Sequence, residues 1–140
     1  MQKNHLATYT TVVKAPVEKV WDALTNPEMV KKYFFGSDLD TDWKVGSPIF
    51  WRGDYEGKGY VDKGHVLEYE ANRRLSFSYL SSWAQMEDKP ENYLMVTYEV
   101  SPVEEGTRLV ITQSNYDAER ARHSEINWAS VMEGMKKLVE

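Results

Sequence analysis

The chain has 140 residues, a net charge of −5 and no cysteine. Its length suits a single domain spanning 1–140 with a core of its own, and the missing cysteine excludes disulfides, thiolate zinc sites and cysteine nucleophiles and fits a reducing, cytoplasmic compartment. An acidic balance argues against nucleic acid as a partner, and no stretch approaches the roughly 20 apolar residues of a membrane span.

The opening MQKNHLATYT lacks the apolar run of a signal peptide. LATYTTVVKA, residues 6–15, is rich in β-branched residues and reads as a first strand. Ala15-Pro16 ends it, and Pro16 suits the first turn of a helix. Val17, Val20, Trp21 and Leu24 follow at helical spacing and make one apolar face. Asn26 is placed to cap a second short helix, with Pro27 in its first position, Glu28 near its positive end and Gly36 to stop it. Tyr33-Phe34-Phe35 closes that helix with three aromatics in a row. SDLDTDW, 37–43, spaces three aspartates like the start of a calcium loop, but Trp43 stands where glycine is needed and Ile49 where glutamate is. It reads as a solvated acidic linker.

From Trp43 to Tyr116 the pattern has period two. KVGSPIFWRGDYEGKG is a strand and hairpin with Gly57 and Gly59 marking the turn. YVDKGHVLEYEA is the next strand or strand pair, and NRR is a turn. LSFSYLSSW puts Leu75, Phe77 and Tyr79 on one face. AQMEDKPEN is a polar loop. YLMVTYEV aligns Leu94, Val96, Tyr98 and Val100; RLVITQSNY aligns Leu109, Ile111 and Gln113. Consecutive strands with short turns predict an antiparallel meander. A final helix follows, capped by Asp117. Its apolar side is Ile126, Trp128, Val131, Met132, Met135, Leu138 and Val139, with a narrow stripe through Trp128, Met132, Met135 and Val139. At about 1.5 Å per residue it is long enough to lie across a sheet. The order gives an α+β architecture in which the long helix covers one face of an antiparallel sheet.

Several segments carry a resemblance: APVEKVWDALTNPEMVKKYFFG, VGSP before a strand, GHVLEYEANRRLSFSY, GTRLVITQS and RHSEINWASVMEGMKKLVE. In this order, over almost the whole chain, they resemble the START-like SRPBCC superfamily, and within it the family of activator of heat-shock protein 90 ATPase homologues. Two positions depart from the pattern. Gln113 stands where many members have histidine, and Asn127 where a glycine usually precedes the helix tryptophan. The resemblance implies a helix-grip fold, a curved antiparallel sheet of about seven strands around the C-terminal helix, with a cavity between them that takes small apolar ligands. The Tyr33-Phe34-Phe35 segment would then sit at the open edge, with one or two rings in the cavity and the rest at its rim.

Aromatic residues make up 13% of the chain, with five Trp and nine Tyr. That is more than a core of this size needs and directs some of them to a pocket or an interface. Each taken singly is a core residue first. As a set, the inward faces of the strands and the helix stripe nominate Phe34, Trp51, Phe77, Tyr79, Tyr98, Gln113, Trp128 and Met132 as cavity wall. Tyr tips and Gln113 would bring polar groups into an apolar interior, the usual make-up of a ligand site, and methionine adapts to varied shapes.

Catalytic and metal signals are weak. His5, His65 and His123 belong to no recognisable triad. Glu119 and His123 lie four apart on a helix without a third ligand, and read as a surface ion pair. No metal or cofactor is expected. Arg73 and Arg74, and Arg120 and Arg122, are solvated positions or recognition points for an acidic partner. Three functions stay open: a non-catalytic binding protein for a small hydrophobic molecule, an interaction module for a chaperone, as the family name implies, and a cyclase- or aromatase-like enzyme. The last would need acid–base groups in the cavity, for which only the Tyr tips, Gln113 and His65 offer themselves. Against the second, the chain is expected to be a lone domain, without the extra N-terminal domain that the resemblance implies for the full chaperone activators. Oligomeric state is open.

Overall fold

A computed structural model describes residues 5–34, 36–81 and 87–140. Strand β1 (His5–Val13) is followed by helices α1 (Val17–Thr25) and α2 (Pro27–Tyr33), then by β2 (Asp38–Asp40), β3 (Pro48–Tyr55), β4 (Lys58–Glu70), β5 (Arg74–Tyr79), β6 (Leu94–Val103) and β7 (Gly106–Asn115). Helix α3 (Ala118–Val139) ends the chain. The seven strands form one sheet in the order β1-β7-β6-β5-β4-β3-β2, every neighbour antiparallel. The first strand thus lies beside the last, and the rest is a meander.

Local chemistry places the short helices as expected. Asn26 accepts from the Glu28 amide at 3.0 Å, Pro27 opens α2, and Val20, Trp21, Ala23 and Leu24 are buried on α1. The β3–β4 turn uses Glu56 (φ 51°) and Gly57 (φ 82°), the paired left-handed residues of a two-residue hairpin turn. Gly59 lies in β4, not in the turn. The 37–43 segment is not a linker. Asp38–Asp40 forms β2 on the edge of β3, burying Leu39 and turning Asp38 to Lys31 and Asp40 to Arg52, each at 2.9 Å.

Strand β4 does not alternate cleanly. Tyr60, Asp62, Gly64 and Val66 take the inner phase, whereas Leu67 and Glu68 are both exposed. A register shift between Val66 and Glu68 absorbs the extra residue and brings Tyr69 inward. There Tyr69 stacks on Trp43 (ring centroids 5.9 Å apart) and accepts from the Trp21 indole at 3.1 Å. Trp43 itself has φ 60° and donates its indole to the Thr25 carbonyl at 3.1 Å. This cluster fastens the end of α1 to the sheet. Trp83 lies outside the described residues.

Helix α3 lies on the inner face, anchored to the β1 edge. Glu125 accepts from the Thr8 amide (3.0 Å) and Glu140 from the Lys14 amide (2.9 Å). These bonds occupy edge N–H groups that would otherwise invite another strand. The cap at Asp117 forms as expected, accepting from the Arg120 amide at 2.7 Å. Met132, Met135 and Val139 are fully buried with Leu75, Leu109 and Ile111, each such side chain worth about 1.5–3 kcal/mol of burial. Ile126 and Leu138, expected on the apolar side, are 61% and 42% exposed. They sit at the flanks of a stripe narrower than the sequence suggested. Glu119 and His123 are both exposed, and no ion pair joins them among the described residues. The expected arginines are largely paired within the chain: Arg73 with Glu70, Arg74 with Glu68 and Glu99, Arg120 with Asp117.

Candidate functional site

The short helices fill one end of the groove between sheet and α3. Tyr33 is drawn in there. Its hydroxyl donates to the Ala23 carbonyl at 2.8 Å, and burial pushes its pKa well above the ordinary tyrosine value. Its Cβ lies 3.4 Å from where a Cβ on Gly134 of α3 would stand. Tyr33 is therefore packed beside α3 and is not among the residues that line the cavity. Phe34 does reach the cavity, and Phe35 lies outside the described residues.

The other end of the groove stays open as a cavity of about 580 Å³. Its walls come from β3–β7, from Phe34 and Ser37 after α2, from Ser81 after β5, and from α3 between Ser124 and Val131. Of the residues nominated from the sequence, Phe34, Trp51, Phe77, Tyr79, Tyr98, Gln113 and Trp128 line it. Met132 does not. It is fully buried in the core with Met135 and Val139. The aromatic wall is continuous. Trp51 lies 5.2 Å from both Phe77 and Tyr79, Phe77 5.6 Å from Tyr98, and Tyr98 5.7 Å from Trp128, whose far side meets Phe34 at 6.2 Å. All five of these pairs are tilted or edge-to-face, the favourable arrangement for aromatic quadrupoles.

Polar groups are few and placed. Gln113 does have an interior partner: its Oε1 accepts from the Trp128 indole at 2.8 Å, and its Nε2 donates to the Ser124 hydroxyl at 3.2 Å. Ser124 in turn donates to Asn115 at 3.2 Å. This chain of bonds fixes the orientation of Trp128 against the wall. Opposite it, the Tyr79 hydroxyl donates to Asp62 Oδ2 at 2.6 Å. Burial, with the adjacent Asp62 charge second, holds the Tyr79 pKa well above the ordinary value, so it remains a donor at neutral pH. Ser37 and Tyr60 share a 2.6 Å hydroxyl pair beside it. Tyr98 is likewise raised, by burial alone.

Sequence reasoning missed Asp62, Ser37, Tyr60, Ser81, Leu94, Val96, Ser124, Asn127 and Val131, all of which line the cavity. A signal existed for Asp62. It falls in phase with Tyr60, Gly64 and Val66, so the alternation puts a carboxylate on the inner face. Gly64 matters to this geometry. A Cβ there would stand 1.7 Å from the Ser78 carbonyl oxygen, so only glycine lets β5 come this close just before Tyr79. No group of His, Asp or Glu side chains among the described residues is arranged to hold a metal, and no helix is long and apolar enough to cross a membrane.

A curved antiparallel sheet closed on a long C-terminal helix, with two short helices after the first strand and a cavity left between, is the helix-grip fold of the START-like SRPBCC superfamily. The family model for Activator of Hsp90 ATPase homolog 1-like protein matches residues 14–140, and the chain belongs to that family. It is similar to the solution structure of ChR145 from Cytophaga hutchinsonii, with 41% identity over 99% of this chain and 95% of that one and a TM-score of 0.85. It is also similar in fold to the Aha1 dimer from Colwellia psychrerythraea, at 22% identity, 96% of each chain and a TM-score of 0.75. DynU16, a protein of the dynemicin biosynthetic locus, shares 21% identity over 96% of this chain and 46% of that one, with a TM-score of 0.77. No curated protein matches the chain.

Proposed function

We propose that the protein is a non-catalytic cytoplasmic binding protein that holds a small hydrophobic molecule between the sheet and α3. The observation that carries this reading is the cavity of about 580 Å³ with its unbroken aromatic wall. A filled core would close such a space, since protein interiors pack to crystal density, whereas ligand sites of this kind run from about 300 to 1,000 Å³. The test is native mass spectrometry of the protein purified from its own host. The expected result is a non-covalent adduct of a few hundred daltons that is lost on denaturation and absent from Leu94→Trp, whose indole occupies the cavity. Bare protein alone, indistinguishable from Leu94→Trp, would overturn the reading.

A second reading, an interaction module acting on the heat-shock protein 90 ATPase, is favoured by the family description and by the Aha1 likeness. A cyclase-like enzyme is favoured by the biosynthetic locus of DynU16 and by the Tyr79–Asp62 pair inside the cavity. Both predict consequences the first does not. The module would retain its partner when the cavity is blocked, and the enzyme would alter the molecule it holds.

A further inference from the structure

On the reading that the cavity holds a small apolar molecule, we infer that this molecule carries a neutral carbonyl group, which accepts from the donors that the aromatic wall leaves unspent, the Trp51 indole N–H and the Tyr98 hydroxyl.

The fold spends its other described indoles on itself. Trp21 gives its N–H to the Tyr69 hydroxyl, Trp43 to the Thr25 carbonyl and Trp128 to Gln113. Trp51 gives its N–H to no acceptor among the described residues, although the residue is only 5% exposed. Tyr98 stands the same way. Tyr33 and Tyr79 donate to the Ala23 carbonyl and to Asp62. The Tyr98 hydroxyl, on a residue 6% exposed, has no hydrogen-bond partner among the described residues, and burial alone raises its pKa. It therefore stays protonated, and a donor, at neutral pH. Leaving a buried donor unmatched is costly. No fully enclosed side-chain nitrogen or oxygen among the described residues lacks a partner. The two unspent groups therefore border open space, and both side chains line the cavity.

An indole N–H donates and does not accept, so the group that completes the wall is an acceptor. None of the described residues lining the cavity is positively charged. An anionic ligand group would thus enter without a counter-charge, at a high desolvation cost. A neutral carbonyl enters at lower cost, and its oxygen has two lone pairs to offer. Trp51 and Tyr98 flank Phe77, with ring centroids 5.2 and 5.6 Å away. The donors belong to the middle of the run of rings, so the carbonyl belongs to a body that is apolar on either side of it. The same two side chains also border a gap of about 10 Å³ beside the short helices. That is at the lower limit for one water, and a water is the competing partner.

The test pairs two compounds of one shape, acetylnaphthalene and isopropenylnaphthalene, in which a methylene replaces the carbonyl oxygen. Each displaces Nile red from the protein, the dye's own affinity being measured first for every variant. Tyr98→Phe removes no bond within the chain and should keep the native circular dichroism. In that variant the ketone is expected to weaken by about fivefold relative to the alkene, as for the loss of one neutral hydrogen bond. In the unsubstituted protein the Trp51 indole proton resonance, assigned by its loss in Trp51→Phe, is expected to move downfield with the ketone and not with the alkene. A response of either donor places the oxygen on that donor. No response of either, which leaves water as their partner, overturns the carbonyl inference, as does naphthoate binding more tightly than the ketone; the cavity reading then still stands. Failure of Nile red to bind at all would overturn both.

Discussion

Trp128→Ala is expected to lower stability by about 4 kcal/mol. Trp128 is 9% exposed on α3, packs its ring against Tyr98 and Phe34, and gives its indole N–H to Gln113 at 2.8 Å. A ring of this size buries about 200 Å², which at about 25 cal/mol per Å² is about 5 kcal/mol. Alanine keeps about 1 kcal/mol of that. Large aromatic truncations reach about 5 kcal/mol when they leave a sealed void. Here one side of the ring already faces an open cavity, so truncation enlarges a space that water enters, and the void term is small. The freed Gln113 oxygen is hydrated there too. Trp128→Phe separates the parts. It keeps most of the contact, loses the N–H···O bond, and should cost about 1 kcal/mol. Urea unfolding followed by far-ultraviolet circular dichroism measures both. A loss under about 1 kcal/mol for the alanine variant would show the helix is not anchored here, and equal losses for the two variants would refute the partition.

Gly64→Ala should destabilise by about 3 kcal/mol or more, because its Cβ would overlap the Ser78 backbone; an unchanged melting temperature would mean β4 and β5 do not approach so closely. Asn26→Ala should cost about 1 kcal/mol through loss of the α2 cap, and Asn26→Asp should restore most of it, both read by chemical denaturation. Tyr33, Tyr79 and Tyr98 titrate above the ordinary tyrosine value in the folded state. The unfolded chain therefore binds fewer protons above about pH 10, and stability falls as pH rises through and beyond that point. In a phenolate absorbance titration the exposed tyrosines should ionise first and these three only with alkaline unfolding; a single smooth titration of all nine would contradict their burial.

The meander was legible because β5, β6 and β7 alternate without interruption, so one register satisfies both hydrogen bonding and burial. The caps at Asn26 and Asp117 were legible because they depend on residues two and three positions away. What failed depended on distant partners. β2 is three residues long and owes its existence to β3, which pairs with it, and to Leu39, which needs a core to enter. The shift at Val66–Glu68 moves Tyr69 to the inner face, and no local signal marks it. Met132 shares the helix stripe with Trp128, yet only Trp128 lines the cavity, while Met132 is fully buried. Sequence periodicity assigns a side chain to a face; it does not say whether that face is filled or open at that level. Asp62 was passed over although its phase pointed inward, because a charge in an alternating strand is normally read as solvent-facing.

Direct titration of Nile red tests the central claim, that the space between sheet and helix admits a small apolar molecule. The dye is added to the unsubstituted protein and to Leu94→Trp, following the blue shift of its emission and the quenching of tryptophan fluorescence. The account predicts saturable, one-to-one binding to the first and at least about tenfold weaker binding to the second, as expected for a loss of about 1.4 kcal/mol or more, with unchanged circular dichroism. No saturable binding, or equal affinity in the two proteins, would contradict it.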